Sequence, residues 1–394
     1  MTVSITKGLD SASKLKLLGQ RARYDVCGYP SLLKQPKLRP AHFIYPAAGE
    51  GGRCVRLFKV LQTNACQGNC LYCANRKDRT FPRISFRPQE LARLFMEYYK
   101  RGLVDGIFLS SAIAKSPDES QQDLLRTLKL IRYNFGYEGY IHCKILPGAS
   151  FELIKEASKV ADRLSINLEA PGKNYLARLS PTKDFHNQLL KGIGQIAQIN
   201  VSNPLKAGLT TQLVVGAGQE SDREILDMTY GLYQKFNLWR VYYSGFTPLK
   251  ETPLEDHPPC SPWREVRLYQ ADFLIRKYRF KTAELPLDAK GNLPEDIDPK
   301  LAWAKAHPER FPIEINRASY WDLIKVPGIG RISARRIVDV RKVSKIRDIV
   351  ALKKLGAQVK RAQNYITLDG KSYFKKALTS QRDLDRQLFL WEEI

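Results

Sequence analysis

No stretch of about 18 or more uninterrupted apolar residues occurs in the sequence, which leaves no candidate for a membrane-spanning helix. The N-terminal Met-Thr-Val-Ser-Ile-Thr-Lys-Gly-Leu-Asp lacks an apolar core followed by a small-residue cleavage site, so secretion is not expected and a cytoplasmic location is. Cysteine is too sparse for a disulfide framework: there are seven in 394 residues, and Cys27, Cys54, Cys143 and Cys260 stand singly, a usage suited to a reducing compartment. Acidic residues are outnumbered, 40 Asp plus Glu against 64 Lys plus Arg, for a net charge of +24. Such an excess attracts polyanions, nucleic acid foremost among them, although a merely solvating basic surface reads the same way. The length allows two or three domains and a large core.

The remaining three cysteines sit together in Asn64-Ala-Cys66-Gln-Gly-Asn-Cys70-Leu-Tyr-Cys73-Ala-Asn-Arg76, a Cys-x3-Cys-x2-Cys spacing directly after the apolar run Val55 to Leu61. Three thiolates in one short loop converge on one centre. A structural zinc site wants four protein ligands, usually from two knuckles, and no second Cys-x2-Cys exists here. An iron-sulfur cube held by three thiolates leaves one iron open to a small molecule. Cys54 as a fourth ligand would keep a closed zinc or cluster site available, so both readings stand on the loop alone.

The first 52 residues read as an N-terminal extension: one short helical pattern, Ser11 to Arg23, then a passage rich in Pro, Gly and Tyr. Arg21, Arg23, Tyr24 and Lys34 are there, and packing is the role expected of them. From residue 53 to 278 strand-like and helical patterns alternate. Strands are expected at Val55 to Leu61, Gly106 to Ser111, Tyr140 to Leu146, Leu164 to Glu169, Leu209 to Gly216 and Arg240 to Gly245. Helices are expected at Pro88 to Arg101, Pro117 to Phe135, Ser150 to Ala161, Lys183 to Gln198, Asp222 to Phe236 and Pro262 to Tyr278. Alternation of this kind implies parallel strands joined by right-handed crossovers. Leu164, Ile166 and Leu168 alternate with Ser165, Asn167 and Glu169, and Ile141, Cys143 and Ile145 with His142 and Lys144. An open doubly wound sheet would be apolar on both faces; one apolar and one polar face fit an α/β barrel with a wet interior. Chemistry in such barrels sits at the C-terminal ends of the strands, where the cysteine loop falls.

The spacing of the three cysteines, with Tyr72 before the third, resembles the cluster loop of radical S-adenosylmethionine (radical SAM) enzymes. The resemblance implies an incomplete (β/α)6 barrel and a 4Fe-4S cluster on Cys66, Cys70 and Cys73. It also implies S-adenosylmethionine (SAM) chelated to the open iron, whose reductive cleavage gives a 5'-deoxyadenosyl radical that takes a hydrogen from substrate. The family commonly places Gly-Gly-Glu after the second strand for the SAM amino group; this chain has Leu109-Ser110-Ser111-Ala112 there, a departure that passes the task to Ser110, Ser111 or backbone carbonyls. Ser165, Asn167 and Glu169 match the polar position of the fourth strand that serves ribose or carboxylate. Gly216 and Gly218 match the glycine segment that packs on adenine, and Tyr243 and Phe246, near the end of the sixth strand, match a further adenine contact. His142 and Lys144 are the candidate catalytic residues, each with an ordinary structural role as the alternative.

Residues 279–315 read as a polar, Pro-rich linker, and 316–394 as a small all-α module. Leu323-Ile-Lys-Val-Pro327-Gly328-Ile-Gly330-Arg331-Ile-Ser333-Ala-Arg335-Arg336-Ile337 is similar to a helix-hairpin-helix motif, in which glycines let backbone amides approach a nucleic-acid phosphate. A degenerate second copy spans Ile349 to Ile366, with Lys360 and Arg361 behind its turn. Between Asn316 and Ile394 there are 18 Lys or Arg and 8 Asp or Glu, so +10 of the excess falls in one fifth of the chain. Pro327, Gly328, Gly330, Arg331, Arg335, Arg336, Lys360 and Arg361 are the candidate nucleic-acid contacts, gripping backbone without sequence readout.

The combination resembles a bacterial family of radical SAM proteins assigned to DNA modification or repair, and the resemblance extends to Lys14-Leu-Lys-Leu-Leu and Tyr24-Asp-Val-Cys27. It implies DNA, or else RNA, as the partner, an electron donor such as flavodoxin or ferredoxin, and a partner protein related to uracil-DNA glycosylases. Two alternatives remain: a DNA-binding protein whose cluster is structural or senses redox state, and a radical SAM enzyme acting on tRNA or protein.

Overall fold

The computed structural model describes residues 5–6, 8–25, 43–48 and 54–373. Lys34 and Cys27, noted in the sequence, lie outside them. The chain divides into two compact units. The first holds the chain as far as Glu220 together with Asp227–Glu265; the second holds Ser221–Leu226 and the chain from Val266.

The first unit is built on one seven-stranded sheet in strict sequence order: β1 (Ile44–Ala48), β2 (Cys54–Leu61), β3 (Gly106–Ser110), β4 (Tyr140–Lys144), β5 (Arg163–Ser165), β6 (Leu209–Val215) and β7 (Arg240–Gly245). β2 to β7 are all parallel, and β1 is an antiparallel edge on β2, contributed by the N-terminal extension. A doubly wound sheet reverses strand order at a switch point; here the order never reverses, and β7 does not close back on β2. The result is an α/β fold whose sheet curls as a half-barrel, as the alternating faces predicted.

The crossovers carry α2 (Pro88–Lys100), α3 (Pro117–Lys129), α4 (Phe151–Val160), α5 (Lys173–Ala177), α6 (Lys191–Ser202) and α7 (Asp222–Phe236). Their starts follow local chemistry. At α3 the Ser116 hydroxyl accepts from the amide of Glu119, whose carboxylate returns to the Ser116 amide, closing a capping box ahead of Pro117. α2 begins at Pro88 and ends before Gly102, whose φ of +66° is the left-handed conformation glycine tolerates. On the outer face Phe58 of β2 packs against Phe95 of α2 with ring centroids 5.7 Å apart, and Phe95 against Tyr137 at 5.0 Å. α1 (Ser11–Ala22) is tied to α2 through Glu90, which accepts from Lys14 at 2.8 Å and Ser11 at 2.7 Å.

Two expected elements differ. Regular β5 ends at Ser165 rather than Glu169, because the Thr211 hydroxyl takes the ladder positions: it donates to Ile166 O at 2.7 Å and accepts from Leu168 N at 3.0 Å. Pairing returns at Glu169, in the left-handed region with φ +69°, through Glu169 N to Gln212 O and Val214 N to Glu169 O. The helix expected from Lys183 begins as a wide π-turn, Phe185–Leu190, capped by the Asp184 carboxylate, before α6 proper.

The second unit is helical, with α9 (Pro299–Ala306), α10 (Tyr320–Leu323), α11 (Arg331–Val340), α12 (Ile349–Lys354) and α13 (Val359–Ala362), and α8 (Pro262–Tyr278) lies mostly within it. It also contains a small three-stranded sheet, β8 (Ile313–Glu314), β9 (Ile366–Leu368) and β10 (Lys371–Ser372), that residue patterning did not indicate. Runs of two or three residues are too short to show periodicity. Residues 279–315 are knit into this unit: Trp303 is fully buried, edge-on to Phe280 at 5.3 Å and to Phe311 at 6.1 Å.

Candidate active site

The cysteine loop leaves the C-terminal end of β2 and is fastened at both ends. Asn64 pairs with the returning chain through its backbone amide to Ile84 O and its carboxamide oxygen to Ile84 N, and Gln62 reaches Phe86 O at 2.7 Å. Between those ends the Arg83 guanidinium is buried among five carbonyls, those of Asn64, Asn75, Arg76, Lys77 and Arg79, at 2.6 to 3.1 Å. Phe81 is flanked by the guanidinium groups of Arg83 at 3.7 Å and Arg21 at 3.6 Å. Arg21 also donates to Ala74 O, so the end of α1 holds the outside of the loop.

Within this clasp the three cysteines turn toward one cavity. Cys66 Sγ accepts from Gly68 N at 3.3 Å, Cys73 Sγ accepts from Asn75 N at 3.4 Å, and Cys70 Sγ lies 3.2 Å from the Ser180 hydroxyl. Burial pushes the Cys66 thiol up, and burial together with Cys70 and Cys66 pushes the Cys73 thiol up to about 12. Among the described residues no three His, Cys, Asp or Glu side chains are grouped to hold a single metal ion. Cys54 stands exposed at the opposite end of β2 and Cys143 is buried inside β4. Cys260 sits against Gly216 and Gly245, outside the cavity lining. Among the described residues the four-ligand zinc site left open by the sequence therefore finds no fourth cysteine; Cys27 lies outside them.

The cavity, about 670 Å³, lies at the C-terminal ends of the strands and reaches into the half-barrel. Cys66, Cys70, Cys73 and Tyr72 line one side, and Ser110, Ser111, Lys144, Asn167, Glu169, Gln212, Ser244 and Phe246 the others. Glu169 accepts from Lys183 at 2.7 Å through Oε1, while its Oε2 is buried without a hydrogen-bond partner among the described residues. Such an orphan acceptor costs about 1–3 kcal/mol unless a ligand supplies a donor. Burial would lower Lys183, but Cys70 and Glu169 outweigh it and hold the ammonium above its usual range. Burial and Glu169 hold the Tyr72 hydroxyl well above its usual range, so it stays protonated.

Several sequence-predicted residues are elsewhere. His142 and Ser165 lie below the cavity, bonded to each other at 2.7 Å, with His142 stacked on Phe108 at 4.1 Å. Burial, with Arg163, Lys144 and Lys59 nearby, drives the imidazole well below its usual range and keeps it neutral. Tyr243 faces away, its hydroxyl 3.1 Å from Thr229. The amides of Gly216 and Gly218 are both taken by the Glu220 carboxylate, at 2.5 and 2.9 Å. Arg76 is buried against Asn69 and Asp78.

The end of α1 and the segment following it, left without a functional role by the sequence, reach the cavity: Arg21, Arg23, Tyr24 and Asp25 all line it. Gln212 of β6 donates to Tyr24 O at 3.1 Å, Lys59 of β2 donates to Asp25 O, and Lys144 of β4 lies 3.0 Å from Asp25 Oδ1. Burial alone would raise the Asp25 carboxyl, but Lys144 and Lys59 outweigh it and hold it below the usual carboxylate range. Irregular chain carries no periodicity, so only its chemistry-bearing residue types could have marked it.

The Radical SAM superfamily model matches residues 60–229, and the helix-hairpin-helix motif model matches residues 310–367. Over residues 60–229 the chain is similar to radical SAM proteins. It is 25% identical over 224 residues to an uncharacterized protein of Methanocaldococcus jannaschii, the match covering 54% of this chain and 55% of the relative, so the chain spans about half the length of that relative. Among solved structures, methylornithine synthase (PylB) aligns over 97% of this chain and 89% of its own at 13% identity and TM-score 0.43. HydG, a maturase of the [FeFe]-hydrogenase, aligns over 55% and 48% at 14% identity and TM-score 0.45. The radical SAM methyltransferase TsrM of Kitasatospora setae, solved with cobalamin and a [4Fe-4S] cluster, aligns over 54% and 39% at 9% identity and TM-score 0.38.

Similarity to the radical SAM superfamily implies a 4Fe-4S cluster and SAM. The residues fit both: three thiols, Cys70 buried and Cys66 and Cys73 half-buried, two of them bonded by loop amides, face a cavity beside an acceptor that lacks a donor among the described residues. Cys66, Cys70 and Cys73 would hold the cluster, and Glu169, Ser111 and Phe246 would be the groups at hand for SAM. When bound, the pair supplies a reductively generated carbon radical.

In the second unit, Val326-Pro-Gly328-Ile-Gly330 forms the hairpin turn and Gly330 caps α11. Gly328 has φ +84°, and a Cβ there would fall 2.5 Å from Gln358 O; its own carbonyl accepts from Gln358 N at 2.8 Å. The second copy, with Gly356 at φ +93°, thus packs directly on the first. Arg331, Arg335, Arg336 and Lys360 are exposed and form no ion pair among the described residues, and Arg335 lies 6.0 Å over Tyr320. Arg361 differs: it is paired with Asp298.

Proposed function

We propose that the protein is a radical SAM enzyme that modifies or repairs a nucleic acid, DNA in the first place. The observation that carries the substrate class is the doubled hairpin, with Arg331, Arg335 and Arg336 of α11 and Lys360 of α13 exposed and the α11 N-terminus capped by Gly330 with no side-chain hydrogen bond. Backbone amides and cations arranged in this way suit phosphate and give affinity without sequence readout. The +24 net charge supports the same reading. A target base would reach the cavity by leaving the stack. The barrel would shield the reaction from solvent, and an electron donor such as a flavodoxin or ferredoxin would supply the reducing electron. A partner protein related to uracil-DNA glycosylases belongs to the same reading.

The test is anaerobic reconstitution, reduction with dithionite, and chromatography for 5'-deoxyadenosine with duplex DNA, single-stranded DNA, tRNA or no polymer. Release increased by DNA supports the reading, while equal release with tRNA alone moves the substrate to RNA. A loaded cluster that never cleaves SAM leaves a structural or redox-sensing centre. Binding of DNA should weaken steeply with salt, and Arg331→Ala should reduce the slope of log K against log salt by about one.

A further inference from the structure

Asp25 and Lys144 meet at the cavity wall, where neither the cysteine loop nor the residues assigned to SAM use them. Asp25 arrives on the segment after α1 and Lys144 from the inner face of β4. The pair is 3.0 Å apart and largely buried. Lys144 also donates to Asn167 Oδ1, and Asp25 also accepts from Ser110. Burying two charges carries a desolvation cost that pairing does not reliably repay. A purely structural role for the carboxylate is poorly supported, because the segment is already pinned through other groups. Arg21 donates to Ala74 O, Gln212 donates to Tyr24 O, and Lys59 donates to Asp25 O, none of which uses the Asp25 carboxylate.

Counting capacity shows what is left over. An ammonium has three donors, and Asp25 and Asn167 take two of them; a carboxylate has about four acceptor positions, and Lys144 and Ser110 take two. Among the described residues one donor and at least one acceptor therefore remain side by side at the cavity wall, both on residues that line it. A ligand carrying a single negative charge would satisfy the ammonium but be repelled by the carboxylate. A planar neutral group with an adjacent N–H and C=O, or N–H and ring nitrogen, satisfies both.

We infer that Asp25 and Lys144 form the substrate-recognition pair of the barrel interior and take the amide-like edge of a nucleobase. The nucleobase identity rests on the nucleic-acid reading above; the donor–acceptor edge rests on the pair alone. Asn167 and Ser110 position the two charged groups, and SAM would lie on the Cys66 and Glu169 side.

The experiment is calorimetric titration of the full chain, anaerobically loaded with iron and sulfide, unreduced and saturated with SAM. The probes are thymidine, deoxyguanosine, deoxyadenosine, deoxycytidine, N-acetylglutamine amide and inorganic phosphate. Asp25→Asn and Lys144→Gln should each weaken the preferred nucleoside at least tenfold while SAM affinity stays within twofold. Retained SAM affinity and an unchanged melting temperature show that the variants are folded. For a variant that melts early, Lys144→Arg, which keeps the charge and a donor, should restore most of the binding. Affinities within twofold of wild type in both variants overturn the inference, as does an equal loss of SAM and nucleoside binding, which would make the pair part of the SAM site. Phosphate binding that needs Lys144 and not Asp25 also overturns it. Binding of N-acetylglutamine amide but no nucleoside, lost in Asp25→Asn, keeps the pair and removes the nucleic-acid reading.

Discussion

Replacing Arg83 by Met should release the cysteine loop while leaving the half-barrel folded. The guanidinium is buried, and its two terminal nitrogens serve five carbonyls, four of them in the stretch Asn75 to Arg79 that follows Cys73. Four N–H groups at about 1 kcal/mol net each amount to about 4 kcal/mol lost with Met. Lys keeps the charge and roughly half the bonds, for a loss of about 2 kcal/mol. Because the loop is held at its ends by Asn64 and Gln62, the loss should appear as local opening rather than global unfolding. The assay is amide hydrogen exchange across Cys66 to Lys77 in the iron-free protein. At about 1.4 kcal/mol per tenfold, Arg83→Met should accelerate exchange about a thousandfold and Arg83→Lys about thirtyfold, with β3 and β4 unchanged. Iron bound per chain after reconstitution should fall in the same order. Wild-type exchange in Arg83→Met would show that the five carbonyls do not depend on the guanidinium and would refute the clasp.

Three further outcomes are expected. Gly328→Ala should cost about 2–4 kcal/mol of stability in the second unit and weaken DNA binding, since the new Cβ meets Gln358 O at 2.5 Å in a left-handed conformation; denaturant unfolding followed by tryptophan fluorescence checks it. In the iron-free protein Cys73, pushed up to about 12, stays a thiol at pH 8, so its alkylation by iodoacetamide should be far slower than that of exposed Cys54 and should accelerate as pH rises, read by peptide mass spectrometry. Lys300 donates to Ile329 O beneath the hairpin, and burial with Arg361 nearby pushes it down to about 7 from 10.5. Between those values the unfolded chain binds the extra proton, so stability of the second unit should rise with pH from about 7 to 10.5; urea midpoints should show the rise and Lys300→Met should flatten it.

The six parallel strands and their order were legible because alternation has a physical cause. Residues facing a wet interior and residues facing helices must differ, and Ser165, Asn167 and Lys144 against Ile141, Cys143 and Leu164 carry that difference. The helix starts were legible for the same local reason, as at Ser116-Pro117 with Glu119. The end of β5 was not, because a hydroxyl from Thr211 replaces backbone partners, and no pattern within residues 164–169 reports a side chain some 45 positions away. β8 to β10 were missed because each is two or three residues long and exists only through its neighbours.

The site divides along the same line. That Cys66, Cys70 and Cys73 come together was legible because it depends on spacing within one loop. Gly216 and Gly218 follow the same turn logic, yet in the structure their amides belong to Glu220, a residue of that very turn. Arg83 and Asp25 could not be picked out, since each matters through groups brought to it by other elements: five carbonyls in one case, Lys59, Lys144 and Ser110 in the other. A carboxylate flanked by two ammonium groups beside the end of a half-barrel is a tertiary fact. For Asp25 the sequence signal is only an acidic residue in a basic, irregular stretch, and the chemistry becomes visible when β2 and β4 put Lys59 and Lys144 on the same wall.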